Sequence, residues 1–349
     1  MEAKVRVALD AMGGDYAPSA TVQGAVEAAR EYGIGIQLVG HEEQIRAELA
    51  RYDIGGLDLA ITHTDEVIAM DEHPATAVRR KKNASLVLAL ELARSGQVVG
   101  AVSAGNSGAM MAASLFVLKR IAGVDRPALG TVMPTRTGTT LVLDVGANTD
   151  CKPEYLQQFA LMGAVYMERL FRINRPRVAL LANGEEETKG NQQVQEAHHL
   201  LKESAPRLGL NFIGNIEGRD IPAGAAEVVV CDGFVGNVVL KLSEGLAETL
   251  IAMLRSQMTS NPVNTLAAAV LKPSLKQLFK RLDYAEYGGV PLLGVNGVAV
   301  IAHGRSNAKA IKNALRVARE TAEQGVVTAI AEGLARLGTG GEQRAEAEV

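Results

Sequence analysis

Five short stretches of the sequence combine glycine with small polar or acidic side chains: DAMGGD from Asp10, SAGNSGA from Ser103, DVGAN from Asp144, ANGEEETKGN from Ala182 and CDGFVGN from Cys231. Glycine lets backbone N–H groups approach an anion, and a helix N-terminus adds partial positive charge. Phosphate is the natural guest of such loops. Lys189 is the one cationic side chain in the five, while Asn106, Asn148 and Asn237 offer neutral amide donors. Any single loop alone reads more readily as turn chemistry and helix capping, and it is the expected convergence of five that points to a site. Asp10, Asp15 and Asp232 fit orienting or capping roles, because an acid beside an anion is unfavourable unless it holds a donor.

Missing patterns narrow the chemistry. GEEETKGN places Lys before Gly with no hydroxyl residue after it, so it is not a Walker loop, and the adjacent glycines of DAMGGD do not make a dinucleotide fingerprint. G-x-S-x-G, H-E-x-x-H and Cys–His metal spacings are absent too, which leaves a serine hydrolase or zinc enzyme without apparatus and predicts no metal. If the chain is an enzyme, its nucleophile arrives with the substrate.

The loops follow apolar or β-branched runs: VRVALD, VVGAVSAG, TTLVLDVG, RVALLANG and EVVVCDG, with GIQLVG and NFIGNI as two more. Most lead into helical spacing, the first from about Ser19 to Tyr32. This alternation predicts an α/β fold with a mainly parallel sheet covered on both faces. Ligands in such sheets sit outside the C-terminal strand ends, so the five loops are expected to converge on one edge. The uncharged run from Val98 to Leu118 is long enough to span a bilayer, but SAGNSG would break a helix there, so it reads as strand, loop and buried helix.

At 349 residues and 47% hydrophobic content, the chain can bury a large core. A net charge of -3 argues against nucleic acid as the main partner. Two cysteines, Cys151 and Cys231, make no disulfide framework and suit a reduced cytoplasmic setting as small core residues. The N-terminus enters a strand pattern without the basic and apolar regions of a signal peptide.

In order, DAMGGDYAP, EHPATAVRRKKNAS, SAGNSGA, GVDRPAL, LDVGANTDCKPEYLQQFALMG, GEEETKGN, CDGFVGNVVLK and AHGRSN resemble the bacterial phosphate acyltransferase family of phospholipid synthesis, through essentially the whole chain to about Ile330. The resemblance implies transfer of a fatty acyl group from acyl carrier protein to inorganic phosphate. Its product, acyl phosphate, would feed a downstream glycerol-3-phosphate acyltransferase. It further implies a three-layer α/β/α sandwich similar to phosphotransacetylases and isocitrate-type dehydrogenases, no cofactor, a homodimer, and peripheral contact with the inner face of the cell membrane. Carried onto this sequence, it makes Lys189, Asp232 and Asn237 catalytic. Asp10, Gly13, Gly14, Asn106, Ser107, Asn148, Gly190, Gly233 and His303 become substrate-binding residues. Phosphate attacks a thioester directly, so no activated Ser or Cys is needed. Family members often carry His where this chain has Tyr16, and Tyr titrates too high to inherit a proton-transfer role at neutral pH.

From Glu244 to Asp283 the chain reads as a helical hairpin turning around TSNPVN, with an interruption expected at Pro273. Leu271, Leu275, Leu278 and Phe279 form part of an apolar stripe flanked by Lys272, Lys276, Lys280 and Arg281, the composition of a helix lying on anionic lipid. A dimer-interface helix with solvated lysines is the alternative, and one protruding hairpin can serve both ends. Arg79, Arg80, Lys81 and Lys82 read either as a solvated helix face or as a docking patch for an acidic carrier protein. Residues 1–335 are expected to form one α/β domain that includes the hairpin, with 336–349 a flexible tail. A phosphotransacetylase-like enzyme using a CoA thioester, a NAD-dependent dehydrogenase argued from architecture alone, and a non-catalytic membrane scaffold are the competing readings.

Overall fold

A computed structural model describes residues 5–271, 286 and 288–347. Among them the strands are β1 (Arg6–Asp10), β2 (Gly35–Gly40), β3 (Leu59–His63), β4 (Ala101–Ser103), β5 (Ala128–Pro134), β6 (Thr139–Leu143), β7 (Arg177–Leu181), β8 (Asn211–Ile216), β9 (Val228–Val230), β10 (Val290–Leu293) and β11 (Ala299–Ile301). They form one sheet in the order β3-β2-β1-β4-β11-β10-β5-β6-β9-β7-β8. The helices are α1 (Ser19–Tyr32), α2 (Glu42–Leu49), α3 (Pro74–Arg80), α4 (Ser85–Arg94), α5 (Ser107–Val117), α6 (Pro153–Phe171), α7 (Gln192–Leu208), α8 (Asp220–Ala223), α9 (Gly233–Met258), α10 (262–271), α11 (Ala308–Glu323) and α12 (Val326–Ala347).

Strand alternation shows why both faces are covered. Successive side chains point to opposite faces. In β1, Val7 and Leu9 pack with Val22 of α1 and Ile311 of α11, while Ala8 packs with Leu86 of α4 and Met110 of α5. In the other half, Leu141 and Leu143 of β6, Val178 and Leu180 of β7, and Val228 and Val230 of β9 pack under α6 and α7, whereas Val142, Ala179 and Val229 face the other layer. Val235 and Val239 of α9 help cover that layer. The three-layer sandwich follows. Gly24 lets α1 close on α11, since a Cβ there would stand 2.6 Å from Cβ of Ile311.

Direction divides the sheet. Strands β2, β3, β4 and β11 all run with β1. β10 runs against β11 and β5, and β5 runs against β6, so β6, β9, β7 and β8 run opposite to β1. Neighbours are mainly parallel, yet the two halves point opposite ways. The loops after β1, β4 and β11 therefore lie on one edge, and those after β6, β9 and β7 on the other.

Two boundaries differ from expectation. The first arm of the hairpin begins at Gly233, not Glu244, because the glycines of CDGFVGN open a helix instead of prolonging a loop. The turn does fall at TSNPVN, with Asn261 Oδ1 accepting from Asn264 N at the start of α10. At the C-terminus, helical backbone continues to Ala347 where a tail was expected, and the Ala, Gln, Arg and Glu residues after Gly341 favour helix.

Candidate active site

At the end of β6, the Asp144 carboxylate is fully buried and gathers the loop behind it. It accepts from the backbone N–H groups of Leu129 (3.0 Å), Gly146 (3.1 Å), Ala147 (3.0 Å) and Asn148 (2.7 Å), and from Asn148 Nδ2 at 2.9 Å. Burial pushes its carboxyl up, while the donors of Ala147, Asn148 and Leu129 pull it back. Asn148 was expected to donate to substrate. Its amide is instead spent on Asp144 and on the Pro127 carbonyl at 2.8 Å. The organising residue was therefore missed in the sequence, although an aspartate ending an apolar strand run directly before a glycine loop could have marked it.

The adjoining β9 loop packs against this one. Gly233 N donates to Asn148 O at 2.6 Å, and Asp232 caps α9 by accepting from Val235 N at 2.8 Å. Asp232, expected to be catalytic, has Oδ1 engaged as a helix cap, the alternative the sequence also left open. Both glycines are required by space, since a Cβ on Gly233 would lie 2.7 Å from Asn148 O and one on Gly236 would lie 1.8 Å from Asp144 O. Asn237 stands exposed on the first turns of α9.

Next along the edge, the β7 loop carries Lys189 and is pinned on both sides. Gly190, at φ +91°, donates to Asn183 Oδ1 at 2.8 Å, and Gln195 Nε2 donates to Thr188 O and Gly190 O. Asn191 caps α7. The glutamates before Lys189 are not its partners: Glu187 pairs with Lys202, and among the described residues no carboxylate pairs with Lys189, whose side chain is exposed.

Both cysteines border this edge without becoming nucleophiles. Cys151 Sγ donates to Asn148 O at 3.5 Å, and its thiol is pushed up to about 12 by burial and by the charges of Asp144 and Asp232. Cys231, fully enclosed, is pushed well up for the same reasons. Neither forms appreciable thiolate at neutral pH. Cys151→Ala is therefore expected to keep turnover within about twofold of wild type, because the thiol takes no covalent part. A loss of two orders of magnitude in a folded variant would establish an acyl-cysteine step instead.

The opposite edge carries a second cluster. Asp10 Oδ2 accepts from Ser103 Oγ at 2.7 Å, its Oδ1 from Met12 N at 3.2 Å, and Gly105 N donates to Ser103 Oγ at 3.0 Å. Burial raises the Asp10 carboxyl against the hydrogen bonds of Ser85, Ser103, Met12 and Gly13. A Cβ on Gly13 would meet Asp10 Oδ2 at 2.5 Å, and Gly14, at φ +106°, lies against Gly304 and Ala104. His303, beside Gly304, is exposed and accepts from Arg305 N at Nδ1. Asn106 caps α5 through Ala109 N and donates to the carbonyls of Met70 and Glu72, so its amide shapes the loop and is not a spare donor. Ser107 opens α5 with its side chain exposed.

The expected convergence on one edge is thus corrected. Asp10, Gly13, Gly14, Asn106, Ser107 and His303 gather on one edge, while Asn148, Lys189, Gly190, Asp232, Gly233 and Asn237 gather on the other, because the β5–β6 hairpin and the reversed β10 turn the second half of the sheet around. Among the described residues, no three His, Cys, Asp or Glu side chains group as a metal would need.

The basic run is divided as well. Lys81 is tied to Glu72 and to Val67 O, whereas Arg79, Arg80 and Lys82 are exposed. The Arg79 guanidinium lies 5.6 Å from the ring centroid of Phe116, itself 51% exposed. Helix α5 leaves the β4 edge and returns the chain towards β5, so Phe116 sits at the helix end directed to the edge that carries Lys189. Leu271, the last described residue of α10, has its side chain exposed, and Leu275, Leu278 and Phe279 lie outside the described residues. Among the described residues, no helix is long and apolar enough to cross a membrane.

Residues 5–329 match the family described as fatty acid synthesis protein. The chain is 55% identical over 319 residues to the phosphate acyltransferase of Pelotomaculum thermopropionicum, covering 91% of this chain and 92% of that one. It is 53% identical to the phosphate acyltransferase of Geobacter sulfurreducens, covering 94% of each. Its fold is similar to that of a phosphotransacetylase from Streptococcus pyogenes, with a TM-score of 0.66 at 17% identity over 92% of this chain and 95% of that one. These likenesses place the chain in the phosphate acyltransferase family: it is an acyltransferase whose acceptor is phosphate.

Proposed function

We propose that the chain takes the fatty acyl group from the thioester of acyl carrier protein and gives it to inorganic phosphate at the edge formed by the β6, β9 and β7 loops. The observation that carries the assignment is Lys189, an exposed cation that pairs with no carboxylate among the described residues, on a pinned loop after β7, the strand paired with the β9 that leads into α9. A phosphate oxygen attacks the thioester carbonyl carbon and a tetrahedral oxyanion forms. Its collapse breaks the C–S bond, and the carrier's sulfur leaves as thiolate and takes a proton from water. Lys189 would hold the phosphate charge and Asn237 would donate to phosphate or oxyanion, while Gly190 and Gly233, whose N–H groups are taken by Asn183 and Asn148, shape the loops beside them. Asp232 and Asn148 act by holding the start of α9, which carries Asn237. On the opposite edge, Asp10 and Asn106 shape a second cradle in which Gly13, Gly14, Ser107 and His303 would hold a further polar part of the substrate.

The test is mass-spectrometric detection of acyl phosphate from acyl carrier protein thioester and phosphate, with the CoA thioester run beside it. Turnover with CoA thioester alone would make the chain a phosphotransacetylase-like enzyme.

The carrier would dock on Arg79, Arg80 and Lys82, with Phe116 as the apolar anchor among them, since aromatic and Arg side chains dominate binding hot spots. Replacing Arg80 and Lys82 by Gln is expected to raise the Michaelis constant for acyl carrier protein about three- to tenfold, leave that for phosphate unchanged, and flatten the salt dependence. An equal rise for both substrates would remove the patch from the docking surface.

The hairpin of α9 and α10 would join two copies and bring the dimer to anionic membrane from the cytoplasmic side. Acyl phosphate is both lipophilic and activated, which suits release beside a membrane to a glycerol-3-phosphate acyltransferase.

A further inference from the structure

We infer that His198 and Asn215 form a buried clamp that fixes Lys189 for phosphate, a positioning role that rests on the reading of Lys189 as the phosphate-holding cation. His198 lies on α7 and Asn215 on β8, only 3% and 5% exposed. Asn215 Nδ2 donates to the Glu186 carbonyl at 2.9 Å. That commitment turns the amide oxygen to the histidine ring, 3.0 Å from Nδ1, so Nδ1 carries the proton and donates. The Glu186 carbonyl also accepts from the backbone N–H of Lys189 at 2.9 Å. One unbroken chain therefore runs from the ring through the amide to the peptide that sets Lys189.

The ring is held in turn. Phe212 packs on it at 5.2 Å between centroids, nearly edge to face, and Nε2 stands 3.8 Å from Glu187 Oε1, the carboxylate that Lys202 pairs with. Burying a histidine and an amide beneath an exposed loop is unfavourable unless their polar atoms are used. Here they supply an anchor that reaches the turn Glu186–Lys189 from the sheet, while Gln195 and Asn183 hold the segment from Thr188 to Gly190. Without it, Lys189 would keep its charge and lose its place.

The test compares Asn215→Ala, His198→Phe, His198→Asn and Lys189→Ala, with the double variant Lys189→Ala/Asn215→Ala, using inorganic phosphate and acyl carrier protein thioester. His198→Phe keeps an aromatic ring beside Phe212 but loses the donor. His198→Asn puts an amide nitrogen where Nδ1 was. Asn215→Ala and His198→Phe are expected to raise the Michaelis constant for phosphate about five- to tenfold, leave that for the carrier within about twofold, and His198→Asn to recover most of the loss. In the Lys189→Ala background, Asn215→Ala should add less than about twofold, because the group it positions is gone.

A folded Asn215→Ala with wild-type phosphate kinetics beside an impaired Lys189→Ala overturns the clamp alone, as do losses that multiply in the double variant. Should Asn215→Ala fail to fold, the histidine pair decides, and equal phosphate constants for His198→Phe and His198→Asn overturn the proposal. Wild-type phosphate kinetics in Lys189→Ala would remove the underlying reading and the clamp with it.

Discussion

Lys189→Ala is expected to lower kcat/KM for phosphate on the order of 10²- to 10³-fold while the protein stays folded. The side chain is exposed and pairs with no carboxylate among the described residues, so its removal opens no core cavity and strands no buried charge. What it removes is the one cation of a loop whose backbone is already fixed by Asn183, Gln195 and Asn215. The loss should therefore depend on phosphate and be little changed by the carrier concentration. Lys189→Arg should restore part of it, since the charge returns with a different donor geometry. Steady-state titration of phosphate, with thermal unfolding of the same preparations, measures both halves of the expectation. A folded variant with wild-type phosphate kinetics would move the phosphate site away from this loop.

Much of this edge could be read in the sequence because local rules act there. Glycine beside Asn or Asp after an apolar run marks a strand end, and Asp232 and Asn191 are caps of the expected kind. What could not be read is long-range. The reversal of the second half of the sheet depends on β10 pairing with β5, more than a hundred residues earlier in the chain, as well as with its neighbour β11, and local spacing does not encode the long-range pairing. Hydrogen-bond commitments are hidden for the same reason: Asn148 looks like a donor until Pro127 and Asp144 are placed beside it, and Asn106 until Met70 and Glu72 are. Asp144 and His198 were overlooked because burial, which turns an ordinary polar residue into an organising one, appears only once the layers are assembled.

The second large effect is expected on α9. Phe234, Val238, Leu242, Leu246, Leu250 and Met253 recur mostly at intervals of four along one side of the helix, each more than half exposed, and Val263, Leu266 and Val270 continue the apolar surface on α10. Soluble monomers rarely leave so long an apolar patch open. Covering such side chains stabilises an assembly by roughly 1.5–3 kcal/mol apiece before the cost of association, which is the ground for proposing this stripe as the seam between two copies. Leu246→Glu with Leu250→Glu would place charge in that seam without a partner, a penalty of several kcal/mol. Sedimentation velocity should show wild type as a dimer and the double variant as a folded monomer across micromolar concentrations. Liposome sedimentation on the same preparations tests the membrane contact proposed for the hairpin. A variant that remains dimeric but leaves anionic vesicles would make this stretch a lipid-facing surface, with the seam elsewhere. Loss of the dimer with vesicle binding retained would place membrane contact nearer the hairpin tip, beyond Leu250, where α10 carries its own exposed apolar side chains.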